Sequence, residues 1–312
     1  MTIECKMKTV IGYQRAWLNM YNNRKLRHSK KQKTTLNVSM AEKVINLFEQ
    51  KGWEIEDSLE MEHSLFNRFC VMLESLTEEQ QELVLELSEN FLRIALPQYS
   101  LEIKNLLIRV YQEDTELNKF NKIYVMPLLA PKDIGKSKSS TLMAYSFIAT
   151  DLQYSVFASK QVILANTIDA LPKNINSSTS SIILLVDDFI GTGETAEDAL
   201  KHMFDNDIAK DKIVLLSLVA QKEGVERIES LGVKCFVTYL QEKGISGVFP
   251  PDEAKEKLKL MQLIEQKIKV KANNNLGYGK SEALVAMART PNNTFPIYWY
   301  ENGKNIAPFP RR

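Results

Sequence analysis

The hydrophobic pattern changes character near residue 121. Ahead of that point apolar residues recur at helical spacing. Val44, Ile45, Leu47 and Phe48 share one face. Leu83, Leu87, Phe91 and Ile94 share another, behind the capping-box run Thr77-Glu78-Glu79-Gln80. Ile103, Leu106, Leu107 and Val110 mark a third. The spacing predicts helices over residues 41–112, with Pro97 ending the second of them. From Lys122 onward the apolar runs become short and continuous. Residues 123–129, 182–186, 213–219 and 235–239 read as strands, and 162–165 as a further candidate. Residues 141–148, 196–203 and 223–231 read as the helices between them. Strands alternating with helices predict an α/β fold with an open, mainly parallel sheet flanked by helices. Residues 252–270 form an amphipathic helix with Ala254, Leu258, Met261, Ile264 and Ile268 on one face. A turn-rich segment, 273–312, follows, with one strand-like run at 283–288.

Charge adds a division that hydropathy does not show. The net charge is +1, yet residues 1–41 carry +8 and the remainder −7. The densest stretch is Arg24-Lys25-Leu26-Arg27-His28-Ser29-Lys30-Lys31-Gln32-Lys33. The expected organisation is a basic N-terminal arm over 1–40, a helical region over 41–120, an α/β core over 121–250 and a C-terminal helix and tail over 251–312. Such an arm can contact nucleic acid or a ribonucleoprotein through phosphates. Cys5, Cys70 and Cys235 lie far apart, and His28, His63 and His202 share no ligand spacing, which argues against a disulfide framework or a zinc site. No apolar run approaches the roughly 20 residues of a membrane span. A cytoplasmic protein without membrane contact is expected.

The candidate chemistry sits behind the run 182–186. Asp187 and Asp188 follow it, then Gly191-Thr192-Gly193-Glu194-Thr195 leads into a helix-prone segment. Ligands of open α/β sheets bind beyond the carboxyl ends of strands. A glycine-rich turn entering a helix offers N–H groups and a positive dipole end to an anion. The order suits a phosphate beside a hydroxyl-rich or metal-bound group held by carboxylates. A second stretch competes for the phosphate. Ala130-Pro131-Lys132-Asp133-Ile134-Gly135-Lys136-Ser137 follows a strand and matches the loose Walker A pattern, with 182–187 as its Walker B strand and an acid for Mg²⁺. Against that nucleotide-triphosphatase reading, alanine replaces the first glycine, and Pro131 removes an N–H from a loop that must donate them.

Two acids, two apolar residues, a small residue and Thr-Gly-x-Thr resemble the phosphoribosyl pyrophosphate loop of the class I phosphoribosyltransferases. The resemblance implies that Asp187 and Asp188 hold the ribose hydroxyls and, through the ligand, Mg²⁺. Gly191, Thr192, Gly193, Glu194 and Thr195 would cradle the 5′-phosphate. Residues 130–140 would become the pyrophosphate loop, with Lys136, Ser137, Lys138, Ser139 and Ser140 facing the leaving group. The aromatic tail Thr290-Pro291-Asn292-Asn293-Thr294-Phe295-Pro296-Ile297-Tyr298-Trp299-Tyr300 would form a hood, with Asn292, Asn293, Tyr298 and Trp299 on the base. Enzymes for 6-oxopurines usually carry an acid where this chain has Gly191. Leu276-Gly277-Tyr278-Gly279, the aromatic tail and the closing Phe309-Pro310-Arg311-Arg312 are similar to a prokaryotic phosphoribosyltransferase-like family of biological-conflict systems, including retron-linked effectors. That likeness implies an antiphage role and a reverse-transcriptase ribonucleoprotein as partner of the basic arm. The implied activity is phosphoribosyl transfer or release, with a nucleotide-sensing module as the alternative.

Overall fold

The computed structural model describes residues 36–55, 64–136, 138–149 and 156–311. Residues 1–35 of the basic arm, and Ser137, lie outside the described residues. The chain forms two compact units. No helix among the described residues is long and apolar enough to cross a membrane.

The first unit takes in the described residues up to Asn90, with 260–270 and 297–310. Its helices are α1 (Val38–Lys51), α2 (Leu65–Glu74) and α3 (Glu78–Glu89). The capping box of α3 forms as its sequence predicts: Thr77 Oγ1 accepts from Gln80 N, and Gln80 Oε1 accepts from Thr77 N. Phe48 is the centre of an aromatic cluster, with edge-on rings from Trp53, Phe66 and Phe69 at 5.2, 5.1 and 5.4 Å. The buried Arg68 guanidinium pairs with Glu301 at 2.5 Å and donates to the Ala307 carbonyl at 2.7 Å.

The second unit holds β1 (Leu92–Arg93), α4 (Tyr99–Glu113), β2 (Lys122–Pro127), α5 (Ser139–Ser146), β3 (Gln161–Leu164) and β4 (Ser181–Ile190). It continues through α6 (Glu194–Asp205), β5 (Ile213–Gln221), α7 (Lys222–Ser230), β6 (Lys234–Gln241) and β7 (Val285–Ala286). The helix α8 spans Pro251–Lys267, and its residues from Leu260 belong to the first unit. Helix α3 stops at Glu89, short of the Phe91 and Ile94 positions that its spacing includes. Leu92 and Arg93 instead pair in parallel with Val285 and Ala286, so the backbone donors there are spent on a sheet.

Five strands form one parallel sheet in the order β3-β2-β4-β5-β6. Each strand of the centre is buried on both faces, which is why its sequence reads as a continuous apolar run. Ile182, Leu184 and Val186 point to one face, where Ile103, Leu107 and Val110 of α4 and Met143 and Ala144 of α5 cover them. Ile183 and Leu185 point to the other, under Ala196, Ala199, Leu200 and Met203 of α6 and Ile228 of α7. Burying such a side chain stabilises by about 1.5–3 kcal/mol, so both faces are strongly specified. Helix α4 therefore packs on the sheet, although its spacing alone groups it with the N-terminal helices. The chain leaves β2 through α5 on one face to reach the edge strand β3, crosses back to β4 and leaves through α6 on the other face toward β5. The carboxyl ends of β2 and β4 thus form the switch point of the sheet, where the connections part and leave a crevice.

Candidate functional site

Strand β4 runs to Ile190, past both acids, with Asp187 beside Ser217 and Phe189 beside Val219 of β5. The two acids differ in burial, yet their carboxyls stay close enough for a side-chain hydrogen bond between them. Asp187 is half-buried and lines a cavity of about 220 Å³, with Leu128, Lys132, Phe189, residues 190–196, Asp198, Tyr278, Asn292 and Asn293. Asp188 is buried, and its Oδ2 accepts a hydrogen bond from the Tyr99 hydroxyl at 2.7 Å. The same hydroxyl accepts from Ala288 N at 3.0 Å. Burial, and then the Asp188 charge, push the Tyr99 hydroxyl far above its ordinary range, so it stays a donor. The Asp187 carboxyl accepts from Asp188 N at 2.9 Å. Burial first, and then the neighbouring Asp188 charge, raise the Asp187 pKa well above the ordinary carboxylate value. No lysine or arginine pairs with Asp187 among the described residues.

The turn after β4 is built on close backbone approach. Gly193 has φ 80° and is the N-cap of α6, and no side chain among the described residues caps that helix. Its first N–H groups are therefore open to the cavity. A β-carbon on Gly224 of α7 would fall 2.3 Å from the Gly191 carbonyl oxygen. One on Gly193 would stand 3.0 Å from Gly224 Cα, so the turn and α7 fit only without side chains. A β-carbon on Gly191 would fall 2.3 Å from Asn293 Nδ2. The amide of Asn293 thus occupies the space that a side chain at position 191 would enter, and an acid there would require Asn293 to shift. Tyr278 stands on the far wall. Gly279 lies against the Thr192 methyl, and the Tyr278 hydroxyl donates to Glu194 Oε2 at 2.8 Å.

The other expected contacts are placed less directly. Lys136 and Lys138 pair with Asp133 at 2.9 and 3.2 Å, and it is Lys132 that lines the cavity. Ser139 and Ser140 open α5, and the Ser140 hydroxyl is buried without a partner. Asn292 and Asn293 line the cavity. Tyr298 and Trp299 are buried residues of the first unit, where the Tyr298 hydroxyl donates to the Val84 carbonyl at 3.0 Å and lies 2.9 Å from Ser88 Oγ. Two contributors carry no sequence signal of their own: Tyr99 and Asp198 read as ordinary helix residues. Lys132 and Tyr278 lie in stretches that the sequence singles out, the loop 130–140 and Leu276–Gly279, without being marked there as cavity residues.

The cavity wall carries three carboxylates, Asp187, Glu194 and Asp198, against one ammonium, Lys132. Among the described residues no group of three or more His, Cys, Asp or Glu is placed to hold a metal ion by itself. A dication here would take part of its coordination from a ligand's phosphates or from water, beside Asp187.

A search of curated proteins finds no match. Three solved structures are similar in part. Orotate phosphoribosyltransferase from Aeropyrum pernix aligns at 16% identity and TM-score 0.30, over 55% of this chain and 77% of its own. A hypothetical protein from Neisseria gonorrhoeae with bound ppGpp aligns at 13% and 0.33, over 55% and 97%. The AQ2163 protein from Aquifex aeolicus aligns at 17% and 0.29, over 60% and 87%. The profile of the PRTase-CE family matches residues 68–311, which hold both acids, the glycine turn and the wall that closes on it; the chain belongs to this phosphoribosyltransferase-like family.

Proposed function

We propose that the chain binds the ribose 5-phosphate part of phosphoribosyl pyrophosphate, or of a nucleotide, together with Mg²⁺, and transfers or releases the phosphoribosyl group. One observation carries the reading: an uncapped helix start behind Gly193 opens on the same cavity as Asp187, at the switch point of the sheet. The 5′-phosphate would lie on the N–H groups of the turn with the Thr192 and Thr195 hydroxyls. Asp187 would accept from a ribose hydroxyl. The acid-rich wall suits an anionic ligand that arrives with a dication, and Mg²⁺ would supply positive charge to the departing pyrophosphate. In the reaction the bond from the anomeric carbon to pyrophosphate breaks and its electron pair leaves with the pyrophosphate. A lone pair of the acceptor forms the new bond, and the acceptor's proton passes to solvent or a base. The protein's part is to fix the sugar and neutralise the leaving charge.

A sensor reading has one observation in its favour: Asp188 is buried and held by Tyr99, and of the two acids it is Asp187 that lines the cavity. Use of the chain as an antiphage effector, with the basic arm on a reverse-transcriptase ribonucleoprotein, is part of the proposal and rests on the sequence likeness. So does a cytoplasmic location. The test is thermal stabilisation of the full chain. At a hundredfold excess over its dissociation constant a specific ligand adds about 2.7 kcal/mol. We expect that response from phosphoribosyl pyrophosphate with Mg²⁺. A response to ATP with Mg²⁺ and none to phosphoribosyl pyrophosphate would overturn the reading. Pyrophosphate release, followed in the same samples, separates enzyme from sensor.

A further inference from the structure

The carboxyl end of the sheet has a second cavity, of about 300 Å³, at the ends of β5 and β6. It shares no lining residue with the cavity at Asp187. Gln221 and Gln241 line it, and they are the last residues of the two strands and partners in register. Both direct their amide N–H to carbonyls of one segment. Gln221 Nε2 donates to the Ser281 carbonyl at 2.6 Å, and Gln241 Nε2 to the Leu284 carbonyl at 3.3 Å. Those bonds fix which way each amide faces, and the amide oxygens are left over. Gln241 Oε1 is buried and has no hydrogen-bond partner. Gln221 is 3% exposed, and its side chain makes no other hydrogen bond among the described residues. A buried acceptor without a donor is destabilising, so two of them side by side point to a missing partner.

The rest of the lining says what that partner is. Three carboxylates, Glu223, Glu226 and Glu242, stand against two ammonium groups, Lys222 and Lys243. Lys222 pairs with Glu242 at 3.1 Å and Lys243 with Glu223 at 3.2 Å, so an anion would have to break both pairs. The remaining donors are committed as well. Ser246 gives its N–H and its hydroxyl to the Glu282 carboxylate at 2.7 and 2.8 Å, and Gly247 N donates to the Lys243 carbonyl at 3.1 Å. Among the described residues no three acids converge to hold a metal ion. We propose that this cavity binds a small organic cation whose charged head carries several N–H donors, a guanidinium or a primary ammonium. Neighbouring strands stand about 4.8 Å apart, so two amide oxygens in register call for two N–H groups of one head rather than one shared between them. Glu226 offsets the charge of that head. The site stands independently of the function proposed above.

The experiment is calorimetric titration of the full chain with agmatine, which carries a guanidinium at one end and a primary ammonium at the other. Binding with a dissociation constant of about 1 mM or tighter is expected. Tetramethylammonium, a cation without N–H groups, and inorganic phosphate should each bind at least about tenfold more weakly. Gln241→Met, which removes one amide oxygen, is expected to weaken agmatine by about tenfold, and Glu226→Gln by roughly three- to tenfold. Glu226 is exposed, so its variant reports on binding even where a Gln241 variant fails to fold. A parent chain that binds no agmatine at about 10 mM overturns the site. Equal affinity for tetramethylammonium would mean charge attraction without hydrogen bonding and would also overturn it. So would phosphate binding more tightly than agmatine, since the two lysines would then be the ligands. Agmatine affinity unchanged in both variants would place the cation elsewhere, for instance at the acid wall around Asp187, and the assignment would fall.

Discussion

The loop after β2 and the turn after β4 both carry residues that read as phosphate ligands, yet they are held in opposite ways. The turn is shaped by what is missing. Gly193 and Gly224 let two backbones meet, Gly279 rests on Thr192, and a β-carbon on Gly277 would fall 1.9 Å from the Asn293 carbonyl oxygen. The loop is shaped by charge. Asp133 takes both Lys136 and Lys138, and Gly135 has nothing within 4 Å of where its β-carbon would be. Close packing gives a binding surface whose donors are already aimed. An ion-paired loop spends its cations internally, and a ligand gains from them only the difference between two pairings. Glycine pattern and lysine count are therefore different kinds of evidence for phosphate binding.

Gly224→Ala tests the first half most severely. In an isolated helix this change is favourable by about 1 kcal/mol. Here the new β-carbon meets the Gly191 carbonyl oxygen at 2.3 Å and Ile190 Cγ2 at 2.9 Å. Net destabilisation of roughly 1–3 kcal/mol is expected, read as a lower urea midpoint, along with loss of ligand-induced stabilisation. Gly135→Ala, with open space but φ 84°, should cost less and leave binding intact. A neutral or stabilising Gly224→Ala would show that the turn is not set by backbone contact.

The contrast also explains what the sequence discloses. The strands of the sheet, the helices between them and the turn at Gly191 to Thr195 are legible because each rests on local pattern: continuous apolar runs, helical spacing, glycines ahead of a helix. Tyr99 was not legible. Its hydroxyl reaches Asp188 across 89 positions of sequence, and nothing near it announces a partner. The unequal burial of the two acids is hidden too, because the apolar run stops at Val186 while pairing with β5 continues to Ile190. Tyr298 and Trp299 are expected on the base only through the resemblance; in the first unit the Tyr298 hydroxyl instead meets distant residues, Val84 and Ser88. Gly191 gave a mixed signal. Its departure from the oxopurine pattern is visible, but the amide that occupies the space beside it, that of Asn293, lies 102 positions away.

Asp187→Asn sharpens the comparison at the next level of effect. The folded state holds a proton on Asp187 more tightly than the unfolded chain does. Its contribution to stability is present in full below the ordinary carboxylate value of 3.8 and is lost as pH rises through the higher folded value. Removing the ionisable group should therefore stabilise the ligand-free chain at pH 8 by about 1 kcal/mol, roughly 2–4 °C in Tm, while weakening phosphoribosyl pyrophosphate. The gain should shrink toward pH 4. A difference in Tm that stays constant from pH 4 to pH 8 would mean that the Asp187 charge carries no such cost.

The smallest expected effect belongs to the loop after β2. Hydrogen bonding from Lys136 first, and from Lys138 with both charges, against partial burial, holds the Asp133 pKa below 3.8. That contribution to stability is present above the ordinary carboxylate value and is lost as pH falls through the depressed one. Lys136 is 60% exposed, so solvent screening leaves the pair worth at most about 0.5 kcal/mol. Asp133→Asn should hardly move the urea midpoint at pH 7. It should free two ammonium groups and raise affinity for pyrophosphate by roughly two- to fivefold at 20 mM salt, with the gain gone by about 0.5 M. Binding of ribose 5-phosphate at the glycine turn should not respond, because those donors are backbone N–H groups fixed by packing. A gain shared by both probes would place the freed lysines at the turn, and no gain for either would mean that the loop after β2 takes no part in holding the anion.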